Sequence, residues 1–104
     1  MIYSIASEYS RTPGGRFKHE GQYSGEDFRE KILKPLYLEC KQTGDELIIN
    51  LDGGYGYATS FLEEAFGGLA RELKDPDLVK IKIISTEEPA LVERIAQYIT
   101  DALR

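Results

Sequence analysis

The chain has one cysteine, Cys40, and one histidine, His19, in 104 residues. A single thiol allows no internal disulfide, which fits a reducing compartment. One thiol beside one imidazole also argues against a structural zinc site. A basic excess is missing too: 13 Lys and Arg stand against 18 Asp and Glu, a formal charge of −5. Nucleic-acid binding is driven by clustered cations, so no nucleic-acid partner is expected. No apolar run approaches membrane-spanning length, and the opening MIYSIASEYSR has no basic n-region and only a short apolar core. The expectation is a cytoplasmic single domain over residues 1–104 with no membrane partner, free of repeats, low-complexity runs and linkers.

Catalytic motifs are missing as well. A nucleophile needs a base within reach, and the lone His19 lies in an irregular loop. The stretch GGYGYATS has no lysine after its last glycine, as a phosphate-binding P-loop would, and its glycines lack the spacing of the dinucleotide fingerprint. The expectation is therefore no enzyme, no cofactor and no metal.

What is present centres on Asn50 to Leu73. Leu47, Ile48, Ile49 and Leu51 form an apolar run expected of a strand covered on both faces. Asp52-Gly53-Gly54 breaks it. Ala58, Phe61, Leu62, Ala65, Phe66, Leu69, Ala70 and Leu73 then recur at helical steps, with Glu63, Glu64, Arg71 and Glu72 mostly on the other side. Ser60 and Glu63 have the spacing of a capping box, which makes Ser60 the N-cap and leaves Thr59 at the loop tip. Gly67-Gly68 sits inside the helical pattern at about 1 kcal/mol each relative to alanine, a cost that predicts close backbone packing.

Three readings of this element stay open. Gly53, Gly54 and Gly56, with Thr59 and Ser60 at a helix start, could cradle an anion on free amides, with Arg16 as a further contact. The hydroxyl could instead receive a phosphate. Or the segment is a capped helix after a tight turn. Tyr55 and Tyr57 flank Gly56, and exposed tyrosines on a rigid loop are frequent interface anchors.

The rest of the chain reads in order. Met1 to Ala6 is a first strand, and Tyr9-Ser10 continues it as a hairpin. Pro13-Gly14-Gly15 is a loop among Arg11, Arg16, Lys18 and His19, a basic cluster in an acidic chain. Ser24 caps a helix that buries Phe28, Ile32 and Leu36, kinks near Lys34 because of Pro35, and stops at Gly44. Cys40 joins its apolar stripe. Lys74 to Asp77 is a turn, Val79, Ile81 and Ile83 alternate as a strand, and Ser85 to Pro89 opens a last helix that buries Leu91, Ile95, Tyr98, Ile99 and Ala102. The order β(β)αβαβα predicts an α/β fold, a mixed β-sheet with helices packed against it.

Leu51-Asp52 followed by Thr59-Ser60-Phe61 and Glu64-Ala65-Phe66-Gly67-Gly68-Leu69 resembles the STAS-like domain family of unknown function, a distant branch of the STAS domains of anti-anti-sigma factors. Thr12-Pro13-Gly14-Gly15-Arg16 and Ser24-Gly25-Glu26-Asp27-Phe28-Arg29 are similar to the same branch. The resemblance implies the STAS-like fold. Phosphorylated STAS switches carry Asp-Ser-Ser-Gly at the helix start, and here those positions are Ala58, Thr59, Ser60 and Phe61. It thus places Thr59 at the phosphorylated position. With the aspartate and glycine absent, the expectation is a contact residue that is not regularly phosphorylated.

Together these features point to a non-catalytic regulatory protein-binding module of bacterial signalling type. The resemblance implies a separate histidine-kinase-like ATPase or similar regulator as partner, engaged through the 53–60 loop and the helix after it, and self-association stays open. The alternative is a small-anion or nucleotide-binding domain using the loop amides.

Overall fold

The computed structural model describes residues 1–104. Strand β1 (Ile2–Ser4) runs directly into a short helix α1 (Ile5–Glu8). After an irregular segment with one 3-10 turn (Lys18–Glu20), α2 (Gly25–Phe28), a π turn (Arg29–Leu33) and α3 (Lys34–Thr43) form one continuous helical rod. Strand β2 (Ile48–Asn50) follows, then a second rod of α4 (Thr59–Leu62), a π turn (Glu63–Gly67) and α5 (Gly68–Leu73). A 3-10 helix (Pro76–Lys80) leads into β3 (Lys82–Ile84), and α6 (Ala90–Leu103) ends the chain. The sheet order is β1-β2-β3, with both pairs parallel. Parallel neighbours require long crossovers, and the two rods are those crossovers.

This is the α/β class expected from the alternation and consistent with the STAS-like fold that the resemblance implies, with two corrections to the sheet. No strand forms at Tyr9-Ser10, so the sheet is parallel throughout, not mixed. The segment finds other partners. Ser4 Oγ accepts from the Ser7 amide at 3.2 Å to cap α1, the Tyr9 ring packs on Phe28 at 5.1 Å, and its hydroxyl donates to Asp27 at 2.6 Å. The third strand also starts later than expected. Val79 is exposed within the 3-10 helix, while Leu78 is buried in its place. Asp75 sets that turn by accepting from the Asp77 amide at 3.1 Å.

Register then decides which side chains meet the rods. Ile2, Ile48 and Lys82 align, as do Tyr3, Ile49 and Ile83, and then Ser4, Asn50 and Ile84. Side chains alternate across a strand. Tyr3, Ile49 and Ile83 join the core beneath the rods, with Phe28, Phe61 and Phe66 buried above them. Ile2, Ile48 and Ile84 stand on the opposite face outside that core, with Ile2 62% exposed. The apolar run at 47–51 therefore does not mark a strand covered on both faces. Leu47, Ile49 and Leu51 are buried, and Ile48 sits in the row of Ile2 and Lys82 on the open side.

Several local signals act as read. Ser24 Oγ accepts from the Asp27 amide at 3.0 Å, and Gly44 closes α3 in the left-handed region at φ 77°. The irregularity expected at Pro35 is the π turn just before it. The second rod continues through Gly67-Gly68 to Leu73. Cys40 is 3% exposed with Met1 Sδ at 3.9 Å, and burial pushes its thiol up.

Candidate functional site

The glycine-rich loop leaves the C-terminal end of β2, where ligands and partners of open α/β sheets commonly bind. Backbone and side-chain bonds pin it at several points. Asp52 accepts from the Thr86 hydroxyl at 2.7 Å, from the Thr86 amide at 2.9 Å and from the Glu87 amide at 3.1 Å. These bonds, the Thr86 hydroxyl first, hold its carboxyl below the usual range. Gly53, at φ 93°, donates its amide to Glu87 at 2.7 Å. The Tyr55 amide donates to the Arg11 carbonyl at 2.9 Å.

The two loop tyrosines part company. Tyr55 is 81% exposed. Tyr57 folds back, packs on Phe61 at 6.2 Å between ring centroids and donates its hydroxyl to the Leu51 carbonyl at 2.7 Å. Burial first, then the charges of Asp52 and Glu87, push the Tyr57 phenol up to about 12. Gly54 leaves room for the fold-back: a Cβ there would lie 3.0 Å from the Tyr57 hydroxyl and press on it. The expectation of two exposed anchors holds in geometry for Tyr55 and not for Tyr57.

The helix start also differs from the predicted capping box. Ala58 is the N-cap and contributes no side-chain bond, Thr59 is the first helical residue and Ser60 lies inside the first turn. Glu63 does not reach back, because two arginines hold it. Arg71 donates to its carboxylate at 2.6 and 3.0 Å, and Arg16 at 2.6 Å. Charge-assisted bonds of this kind outweigh a bond to one neutral amide. The Arg71 bond, reinforced by Arg16, draws the Glu63 pKa down to about 2 against the cost of burial.

Arg16 is thereby corrected as a free anion contact. Its Nη1 donates to Glu63 at 2.6 Å and to Glu64 at 3.2 Å, so its charge is already paired. The loop amides sit in an acidic setting as well, since Asp52, Glu87 and Glu88 line the same hollow of about 190 Å³ as Gly54, Tyr55 and Tyr57. Such charge opposes an anion. His19 is stacked on Phe17, with ring centroids 5.6 Å apart. No group of three or more His, Cys, Asp or Glu side chains is arranged to hold a metal ion.

Sequence reasoning missed Arg29 and Glu64. Glu64 was assigned to the solvent side but is buried, where it pairs with Arg29 from the first rod. Arg29 Nε lies 3.6 Å from Glu72 and has no hydrogen-bond partner of its own. The available signal was Gly67-Gly68. A Cβ on Gly68 would fall 2.7 Å from Arg29 Nη1 and 3.2 Å from Glu64 Oε2, so the close packing predicted there is against ion pairs, not against backbone. Also unforeseen is a run of rings, Tyr23, Tyr9, Phe28, Phe61 and Tyr57, with successive centroids 5.4, 5.1, 5.7 and 6.2 Å apart. It ties the irregular N-terminal segment to the glycine loop.

No helix is long and apolar enough to cross a membrane. No curated protein and no solved structure matches the chain. A family model described as a STAS-like domain of unknown function matches residues 24–90, a span that takes in Ser24, both rods, the glycine loop and β3. The chain belongs to this STAS-like family.

Proposed function

We propose that the protein is a regulatory protein-binding module without catalytic activity, and that the 53–60 loop is its contact surface. The observation that carries this reading is Tyr55, 81% exposed on a loop held by Asp52, Glu87, Arg11 and Tyr57. A large aromatic costs little ordering entropy when its backbone is already fixed, and such residues dominate interface energies. Thr59, exposed at the start of the second rod, extends the surface. The proposed partner is a separate cytoplasmic protein of the histidine-kinase-like ATPase class, in keeping with STAS-type modules. The anion-binding alternative has less support, since Arg16 is paired and carboxylates surround the loop.

The test is affinity purification from the native cell with wild type, Tyr55→Ala and Thr59→Glu. Stoichiometric capture of one ATPase by wild type, lost in Tyr55→Ala with its urea midpoint unchanged, supports the reading. Capture that is indifferent to both substitutions overturns it, and a phosphate on Thr59 in most of the native protein restores the phospho-switch in place of a plain contact residue there.

A further inference from the structure

The two edges of the sheet are not equivalent. Strands β1 and β3 are both terminal, so each has backbone groups facing away from β2. On β1 the outward Ser4 amide donates to Glu8 Oε2 at 2.9 Å, while Ile2 also turns its N–H and C=O outward, so the difference between the edges lies in what stands beside them. On β3 the Lys82 amide donates to the Leu47 carbonyl at 3.0 Å and the Ile84 carbonyl accepts from Leu51 at 2.8 Å, so these two residues face β2. Ile83, between them, turns its N–H and C=O outward, and no side chain or turn pairs with either. An unpaired strand edge is a template for another strand.

Beside that edge lies an apolar groove of about 330 Å³ between β3 and α6, lined chiefly by Val79, Ile83, Val92, Ile95, Ala96 and Ile99. Val79 and Val92 are among the exposed large hydrophobic residues of the chain. On the opposite side of the strand Lys82 is exposed and takes no part in the ion pair of its neighbour Lys80 with Asp77 at 3.2 Å.

We propose that the β3 edge, the α6 groove and Lys82 together form a docking site for an extended peptide segment of a partner protein, added antiparallel to β3. The occupant's chemistry follows from the three parts. The Ile83 N–H and C=O are answered together by one residue of an antiparallel strand, which exchanges both bonds. That residue's side chain points to the same face as Ile83, into the groove, and is a branched aliphatic. The next residue faces Lys82 on the other side and is acidic. A lysine on an edge strand discourages unselective pairing with apolar strands, and here it selects for a carboxylate. This site is separate from the 53–60 loop and does not depend on the reading of that loop.

The probe is the peptide acetyl-Ser-Val-Ile-Glu-Val-Ser-amide, titrated into the isotopically labelled chain. The expected result is a shift of the Ile83 amide resonance and slowed hydrogen exchange there. Lys82→Glu, an exposed substitution, weakens binding about fivefold, and replacing the peptide's glutamate by lysine restores it. Ala96→Glu, which puts a charge in the groove at an exposed position, abolishes binding, while Tyr55→Ala leaves it unchanged. An Ile83 amide that does not respond to millimolar peptide overturns the proposal. So does Lys82→Glu binding with no charge-swap rescue, or loss of binding in Tyr55→Ala. An Ile83 amide already protected in a chain of doubled mass would also overturn it, in favour of a second copy as the occupant.

Discussion

Arg29 and Glu64 meet between the two helical rods, their side chains only 15% and 11% exposed, and Arg16 approaches the same carboxylate from the loop. One carboxylate, paired with two arginines, thus fastens the two crossovers to each other and to the segment before them. Removing one member of a buried pair strands the other, which is dearer than losing the pair as a whole.

Arg29→Met is therefore expected to cost about 3 kcal/mol in urea unfolding, the low end for a broken buried pair. The double variant Arg29→Met/Glu64→Leu should recover most of that loss. Equal destabilisation in both would mean that packing, not charge, sets the cost.

The two candidate caps separate cleanly. Ser24→Ala should lose about 0.5–2 kcal/mol, since its oxygen serves the Asp27 amide. Ser60→Ala should stay within about 0.5 kcal/mol of wild type, because Ser60 lies inside the turn and makes no cap bond. Paired denaturant melts decide this, and a reversed order of costs would restore the capping box.

The loop tyrosines should divide in the same way. Tyr57→Phe removes the bond to the Leu51 carbonyl at a cost of about 0.5–1.5 kcal/mol. Tyr55→Ala should be neutral within about 0.5 kcal/mol. Thermal melts of the two variants at equal concentration are the check.

Acid should loosen the fold at two places. The Glu63 and Asp75 carboxyls titrate near about 2 in the folded chain, drawn down from 4.5 and 3.8 chiefly by Arg71 and by Lys41. A lowered folded-state pKa means that the unfolded chain binds more protons. The contribution is then full above the ordinary carboxyl range and is lost as pH falls from there toward about 2. Urea midpoints should decline through that window, and Arg71→Met should make Glu63 protonate at higher pH. A flat profile down to the lower end would show these pairs to be solvated.

How far the sequence was legible depended on range. Signals carried by neighbours, such as the Ser24 cap, the Gly44 stop and the irregularity before Pro35, are settled within one helical turn and could be read directly. Those set by distant partners could not. Glu63 has the spacing of a capping residue, but Arg16 lies 47 positions away and Arg71 is one stretch of helix further on. The hairpin expected at Tyr9-Ser10 is absent for the same reason, since Tyr9 is held by Phe28 and Asp27 rather than by a ladder. Ile48 reads as core by composition, and only the register with Ile2 and Lys82 places it on the open face. At the candidate site the glycines predicted a tight loop correctly, but nothing local distinguished Tyr55 from Tyr57.

The buried thiol of Cys40 has a practical consequence. It is the one cysteine of the chain, it is 3% exposed, and it lies on α3 close to Met1 at the start of β1. It borders a surface hollow with Tyr37, Lys41 and Leu47, so little more than a local loosening of the first rod exposes it, and the labelling rate at low denaturant measures how often that loosening occurs. The native chain thus carries its own clock for local opening at the end of the sheet away from the glycine loop. A partner that clamps the rods together would slow that clock without touching Cys40.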